Sequence, residues 1–175
     1  TMTLLKNTAM SGGRIGEIVT RLNDELCQNN PNNMFVTLFT GILNLKTGIL
    51  EYVNAGHNPV LYMSTSGYCF SEKISGPVIG AIEGLQYKTF CMHLDNSDVL
   101  FLYTDGVTEA MNLEKKLYGK DRLVEIVSEN ARYVVAHELI QLVCDDLKQF
   151  IGSAMQSDDI TMMVLRWHGM GCIRQ

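Results

Sequence analysis

The order of elements along this chain predicts an α+β fold with largely antiparallel sheets. Three observations carry the prediction. Apolar runs of strand length, divided by short turns, crowd into residues 34–104. Segments of helical periodicity lie on both sides of that block instead of alternating with its strands, the pattern of an α+β domain. Two apolar runs carry acid at one end: Val99-Leu100-Phe101-Leu102-Tyr103-Thr104 finishes in Asp105-Gly106, and Ile160 to Trp167 begins after Ser157-Asp158-Asp159.

Taken in order, Met2 to Met10 is helical in composition but has no N-cap signal ahead of it, so it reads as the back half of a helix, broken by Ser11-Gly12-Gly13. Ile15, Ile18, Val19, Leu22 and Leu26 recur at helical spacing and predict an amphipathic helix ending near Asn29-Asn30-Pro31. Residues 34–45 are apolar on both faces, as in a central strand. Lys46-Thr47-Gly48 turns the chain, and residues 49–55 pair back as a hairpin. Strands follow at 60–63 and 68–74, with loops at Gly56-His57-Asn58-Pro59 and Gly76-Pro77-Val78-Ile79-Gly80. Residues 86–92 and 98–104 read as a further hairpin across Asp95-Asn96-Ser97. Val107 to Met111 begins a short helix. Residues 120–130 fit a helix with Leu123, Ile126 and Val127 inward. Val135, Leu139, Val143, Leu147 and Ile151 form an i, i+4 stripe on a longer helix, and the run from Ile160 closes the domain as a strand.

The 175 residues suffice for one domain with a substantial core. An apolar fraction of 46% and a charged fraction of 19% are those of an ordinary globular protein. The formal net charge of −5, with no Lys/Arg cluster, argues against a nucleic-acid surface. The 5 cysteines include no C-x-x-C pair, which fits a reducing cytoplasm and thiols used as small core residues. No apolar run approaches the roughly 20 residues that span a bilayer, so a membrane anchor is expected only outside this chain.

The two acidic strand ends carry the chemistry. If the strands run antiparallel in one sheet, Asp105 and Asp158 share a rim. Carboxylates held together on stiff strands repel each other unless a positive charge lies between them. Mg²⁺ and Mn²⁺ are the usual answer, as hard cations that take oxygen ligands. Each motif alone also has an ordinary reading, Asp-Gly as a hairpin turn and Asp-Asp as a solvated turn.

Several segments coincide in order: Met34-Phe35-Val36-Thr37-Leu38-Phe39, Tyr52-Val53-Asn54-Ala55-Gly56-His57-Asn58-Pro59, Gly76-Pro77-Val78-Ile79-Gly80, Leu102-Tyr103-Thr104-Asp105-Gly106-Val107-Thr108-Glu109-Ala110, Tyr118-Gly119 and Ser157-Asp158-Asp159-Ile160-Thr161. The series resembles the SpoIIE/RsbU branch of the metal-dependent PPM (type 2C) serine/threonine phosphatases, over nearly the whole chain. The resemblance implies two packed antiparallel β-sheets flanked by helices, with the active site at one rim around Mn²⁺ or Mg²⁺, two or more ions in the complete domain. It makes Asp105 a metal-binding or metal-bridging aspartate and Asp158 the aspartate of the last family motif. Asp159 stands where that motif elsewhere has Asn. Gly106, Glu109, Asp159 and His57 are the residues expected close behind these ligands. His57 has two readings, a general acid near the phosphate or a loop imidazole bonded locally. Glu109 also has two, a support for the metals or a first-turn helix acid favoured by the dipole. Met162 and Met163 read as core fillers, and His93, His137 and His168 as surface residues.

The family's earlier G-D-x-x-G-H-G motif has no match here. Residues 1–175 are therefore expected to be a single phosphatase domain lacking the first strands and first metal motif, with weak metal binding and poor hydrolysis on its own. The resemblance implies, for the full-length parent, hydrolysis of phosphoserine or phosphothreonine on a phosphoprotein by a metal-activated water. The implied substrate is a STAS-type anti-anti-sigma factor, and a sensor domain is expected upstream. The alternative is a metal-poor PPM-like module that binds or regulates without catalysis. Open sheet edges left by absent strands would promote pairing between chains, most simply as a symmetric homodimer.

Overall fold

The structure is a computed structural model that describes residues 2–10, 12–28, 30–71, 73–156 and 158–169. In chain order the elements are α1 (Met2–Met10), α2 (Ile15–Gln28), β1 (Leu38–Leu43), β2 (Ile49–Ala55), β3 (Val60–Ser64), β4 (Gly67–Ser71), β5 (Phe90–His93), β6 (Val99–Tyr103), α3 (Asp105–Thr108), α4 (Gly119–Asn130), α5 (Ala136–Ile151) and β7 (Met162–Arg166). They form two antiparallel sheets, β1-β2-β5 and β4-β3-β6-β7, with helices beside each. Two compact units result, Thr1–His57 with Lys73–Leu94, and Asn58–Glu72 with Asp95–Gln175.

In the first unit the apolar stripe of α2 does what its spacing predicts. Ile15, Ile18, Val19 and Leu22 are buried in a core with Val53, Ala55, Ile79 and Tyr87. Asn23 is also fully buried, which is tolerable only because its amide is satisfied. Its Nδ2 donates to the Ile82 carbonyl at 2.9 Å, and its Oδ1 accepts from Gly80 N at 3.0 Å and from the Tyr87 hydroxyl at 3.3 Å. The loop after Gly76 is thereby fastened to α2.

The hairpin of β1 and β2 pairs Leu38 with Ala55 through Leu43 with Leu50. Asn44 organises its turn, its side-chain oxygen accepting from Lys46 N at 2.9 Å and Thr47 N at 3.2 Å, with Gly48 at φ 70°. Residues 34–45 are not a central strand. β1 is an edge of its sheet, β2 is central, and Met34, Phe35, Val36 and Thr37 are exposed.

A second expectation fails between residues 86 and 104. The two runs do not pair with each other: β5 joins β2, and β6 lies between β3 and β7. Bonds at the connection explain it. Leu94 N donates to Gly48 O at 2.9 Å and holds β5 on its sheet. The turn that follows bonds to Trp167, Ser97 N donating to Trp167 O at 2.7 Å and Trp167 N to Asp98 O at 2.9 Å. Asp98 is buried there, accepting from Asp95 N at 2.8 Å and from the Tyr62 hydroxyl.

In the second unit all five residues of β6 are buried, as befits a central strand. Phe101 and Tyr103 pack with Leu123 and Val127 of α4 and Leu139, Val143 and Leu147 of α5. Val124 joins them as a buried residue, while Ile126 is half-buried. Val135 is the exposed N-cap position of α5 and not part of its buried stripe, and Ile151 is only partly buried. Met162 packs on this core, but Met163 points outward and is not a core filler. Nor are the described cysteines core residues: Cys27 and Cys144 are half-buried, Cys69 and Cys91 exposed, and all four are free thiols, while Cys172 lies outside the described residues. His93, His137 and His168 are exposed. Among the described residues no helix is long and apolar enough to cross a membrane.

A polar network joins α4 to α5. Arg122 donates to both Asp146 oxygens, at 2.8 and 2.7 Å, and the Tyr118 hydroxyl donates to Asp146 Oδ2 at 2.7 Å. The Arg122 guanidinium also lies 5.1 Å from the Phe150 ring centroid. The hydrogen bonds from Arg122 hold the Asp146 carboxyl below its ordinary value, while burial raises the Tyr118 phenol. Asp146→Asn is expected to cost about 1–2 kcal/mol near neutral pH, the scale of a charge-assisted pair discounted for the partly exposed arginine. A group with a depressed pKa stabilises the fold above its unfolded pKa and loses that contribution as pH falls. The gap between wild type and Asp146→Asn in urea melts should therefore close as pH drops below about 4.

Candidate active site at the rim of the second sheet

The register of β6 and β7 decides where the acidic residues lie. The two strands pair antiparallel from Val99 with Arg166 to Tyr103 with Met162. The end of β6 and the start of β7 therefore form one rim, with Asp105 leading away from one strand and Asp158-Asp159 into the other. The sequence-predicted pair is brought to the same end of the sheet.

Thr104 holds the two segments together. Its backbone N donates to Thr161 O at 3.0 Å, its hydroxyl donates to Asp159 O at 3.0 Å, and the same hydroxyl accepts from Thr161 N at 3.0 Å. The ladder is thus extended past its last strand pair by a side chain. The sequence reading missed this residue. Its signal was a hydroxyl at the end of an otherwise apolar strand, next to the acid.

Gly106 sets the closest approach. A Cβ at this position would overlap the Asp159 carbonyl oxygen and lie 3.0 Å from its carbonyl carbon and 3.5 Å from that of Asp158. The peptide of Asp158-Asp159 therefore packs directly on the Gly106 backbone, and only glycine leaves that space. Gly106 is buried, as are Val107 and Thr108 behind it. The short helix α3 starts at Asp105, two residues earlier than the pattern predicts, and Met111 lies beyond it.

Asp105, Asp158 and Asp159 are all exposed to solvent. Asp105 Oδ1 accepts from Gly106 N at 3.1 Å, and Asp158 Oδ1 accepts from Asp159 N at 2.7 Å. Each carboxylate thus has one oxygen oriented by backbone and a second available to a ligand. Ser157 lies outside the described residues. Glu109 is exposed at the C-cap of α3, its backbone N donating to Asp105 O at 2.8 Å. It is not a first-turn acid, so the dipole gives no account of it. His57 belongs to the first unit, where its backbone N donates to Asn54 Oδ1 at 2.9 Å and its ring meets Phe39 edge-on at 6.4 Å.

The donor chemistry fits a hard divalent cation in kind, since carboxylate oxygens are the ligands such ions take. Among the described residues no group of three or more His, Cys, Asp or Glu side chains is placed to enclose a metal. Two carboxylates are fewer donors than an octahedral cation takes, so an ion held at this rim would need water or further residues to complete its ligands.

The family described as stage II sporulation protein E (SpoIIE) matches residues 1–168. Protein IcfG of Synechocystis sp. is 33% identical over 132 residues, which are 75% of this chain and 20% of that protein. Phosphoserine phosphatase RsbU of Bacillus subtilis is 30% identical over 151 residues, 86% of this chain and 44% of that protein. The chain thus spans less than half the length of either. Among solved structures, the SiaA PP2C domain of Pseudomonas aeruginosa superposes with a TM-score of 0.78 at 16% identity, covering 94% of this chain and 65% of that one. The two antiparallel sheets with flanking helices are the fold of such phosphatase domains.

Proposed function

The chain belongs to the SpoIIE family of PP2C-type serine phosphatases, and from that premise we propose that it is part of a metal-dependent phosphoserine/phosphothreonine protein phosphatase. The observation that supports the reading best is the convergence of Asp105 and Asp158 at one end of the β6–β7 ladder, tied by Thr104. Asp105 and Asp158 would hold Mn²⁺ or Mg²⁺, two or more ions in the complete protein. Such ions, when bound, lower the pKa of a water and neutralise phosphoryl oxygens.

The chain's own residues supply position. Asp105 is held at the end of a fully buried strand, so its main chain has little freedom. Thr104 fixes the spacing of the two acidic segments, and Gly106 lets them approach. Glu109 adds negative charge to the exposed surface beyond Asp105. Phosphate monoester hydrolysis needs few side chains besides such ligands, because the burden is charge neutralisation and alignment.

The substrate we propose is a phosphoprotein, specifically a phosphorylated STAS-domain anti-anti-sigma factor, with a sensor domain elsewhere in the complete protein governing the activity. The names of RsbU and RsbP, both phosphoserine phosphatases, support the phosphoserine assignment. A metal-poor binding module is the second reading, favoured by the small number of acidic side chains gathered at the rim. One assay separates the two. The complete protein is incubated with a phosphorylated STAS-domain protein, and phosphate release is followed with Mn²⁺, with chelator, and after Mn²⁺ is restored. Release that chelation abolishes and Mn²⁺ restores is the expected result. No release under any condition, with binding of the phosphoprotein retained, would leave the binding module.

A further inference from the structure

The segment between α3 and α4 displays apolar side chains that the core does not use. Met111, Leu113 and Leu117 are 41%, 71% and 47% exposed. Isolated surface leucines need no explanation. These three share one short hairpin whose backbone is tied throughout. Met111 bridges Leu117 antiparallel. Asn112 N donates to Lys116 O at 3.1 Å and Lys115 N to Asn112 O at 2.9 Å, while Asn112 Oδ1 accepts from Glu114 N at 3.1 Å and Lys116 N at 3.0 Å. Lys115 sits at φ 60°, a left-handed conformation that a lysine adopts only when its surroundings fix it. Buried Ala110 and Tyr118 anchor the ends, with Tyr118 N donating to Ala110 O at 2.8 Å. A segment whose backbone is fixed before a partner arrives loses little backbone entropy on binding it.

The hairpin is close to the candidate rim along a rigid path. The four residues of α3 rise roughly 6 Å, and the two residues after it add at most about 7 Å. Its base therefore lies within roughly 13 Å of Asp105. A standard protein interface covers about 800 Å² per partner, a disc of radius ~16 Å. A folded phosphoprotein offering its phosphoserine to Asp105 is wide enough to reach the hairpin, whereas a small phosphoester is not. Charge agrees with such a partner. On a chain of net charge −5, this hairpin carries Lys115 and Lys116 against Glu114, and a phosphoserine brings about −1.5 to −2. Beyond Leu117 the surface falls into an open cavity of about 680 Å³ whose lining mixes Tyr118, Arg122 and Phe150 with the acids Asp121, Glu125 and Glu129, with room for a projecting basic or polar side chain of the partner.

We infer that the hairpin of residues 111–117 is the docking surface for the phosphoprotein, with Leu113 and Leu117 as apolar anchors and Lys115 and Lys116 as the cations that draw the partner in. The inference rests on the phosphatase reading, and two substrates keep the two apart. In the complete protein, the double variant Leu113→Ser, Leu117→Ser is assayed with Mn²⁺ against a phosphorylated STAS-domain protein and against p-nitrophenyl phosphate. KM for the phosphoprotein should rise about tenfold or more. Turnover of p-nitrophenyl phosphate should stay within about twofold of wild type, because a group that binds only the remote surface does not act on the small ester. The variant Lys115→Glu, Lys116→Glu should raise the phosphoprotein KM most at low salt and flatten its salt dependence. Equal losses on both substrates, or no loss on either, overturn the inference and leave the phosphatase reading standing. A fall in mass by light scattering with the phosphoprotein KM unchanged assigns the hairpin to a second copy of the chain and also overturns it. Failure of the unaltered protein to hydrolyse either substrate overturns the phosphatase reading and the inference with it.

Discussion

Asp105→Asn in the complete protein is expected to lower Mn²⁺-dependent phosphate release by roughly 10²–10³-fold, the equivalent of several kcal/mol of lost transition-state charge stabilisation. The substitution keeps the shape of the side chain and an oxygen able to accept from Gly106 N, which Asp105 Oδ1 does at 3.1 Å. It removes the negative charge. Asp105 is exposed and packs on nothing in the core, so the melting transition should move little, by no more than about 0.5 kcal/mol. Calorimetric titration should show weaker Mn²⁺ binding in the variant, with the same far-ultraviolet circular dichroism. The combination matters, because lost activity with an altered melt would indicate damage to the rim and not a lost ligand. Wild-type turnover in Asp105→Asn would remove this carboxylate from the mechanism.

The part of this site that the sequence discloses is the part set by local pattern. β6 is legible because five consecutive apolar residues bounded by Asp-Gly are too short for a helix and suit a strand covered on both faces. The acid at opposite ends of two such runs then implies a shared rim, provided that the strands pair antiparallel, as they do. What stays hidden depends on distant partners. The runs at 86–92 and 98–104 look like a hairpin because they are neighbours joined by turn residues. Their real partners, Gly48 for Leu94 and Trp167 for Ser97, are tens of residues away and leave no local mark. Met34, Phe35 and Val36 look like core because they are apolar, yet apolarity alone does not say which strand will cover them. The bonds of Thr104 to Asp159 and Thr161 and the Tyr118-Arg122-Asp146 network are invisible for the same reason. Each is a polar contact between segments whose juxtaposition only the fold creates.

Gly106→Ala should harm both stability and catalysis, and the order of the two effects tests the role of the rim. A single methyl at this position would overlap the carbonyl oxygen of Asp159 and reach to 3.0 Å from its carbonyl carbon. These are backbone atoms, so no rotamer change relieves the contact. On one side, α3 is fixed through buried Val107 and Thr108. On the other, Asp159 O is held by the Thr104 hydroxyl at 3.0 Å, and Thr161 is bonded to Thr104 through both backbone and side chain. The strain must displace one acidic segment from the other. Overpacking of this kind costs typically about 1–3 kcal/mol, to be read as a lower urea midpoint at an unchanged slope. A displacement near 1 Å between groups that act on one substrate costs on the order of 10²-fold in rate. Activity should therefore fall at temperatures where Gly106→Ala is still fully folded, and added Mn²⁺ should restore little of it, since the ligands are intact but misplaced. Full activity in a folded Gly106→Ala protein would show that the spacing of Asp105 and Asp158 does not matter. The reading of the rim as one active site would then fail.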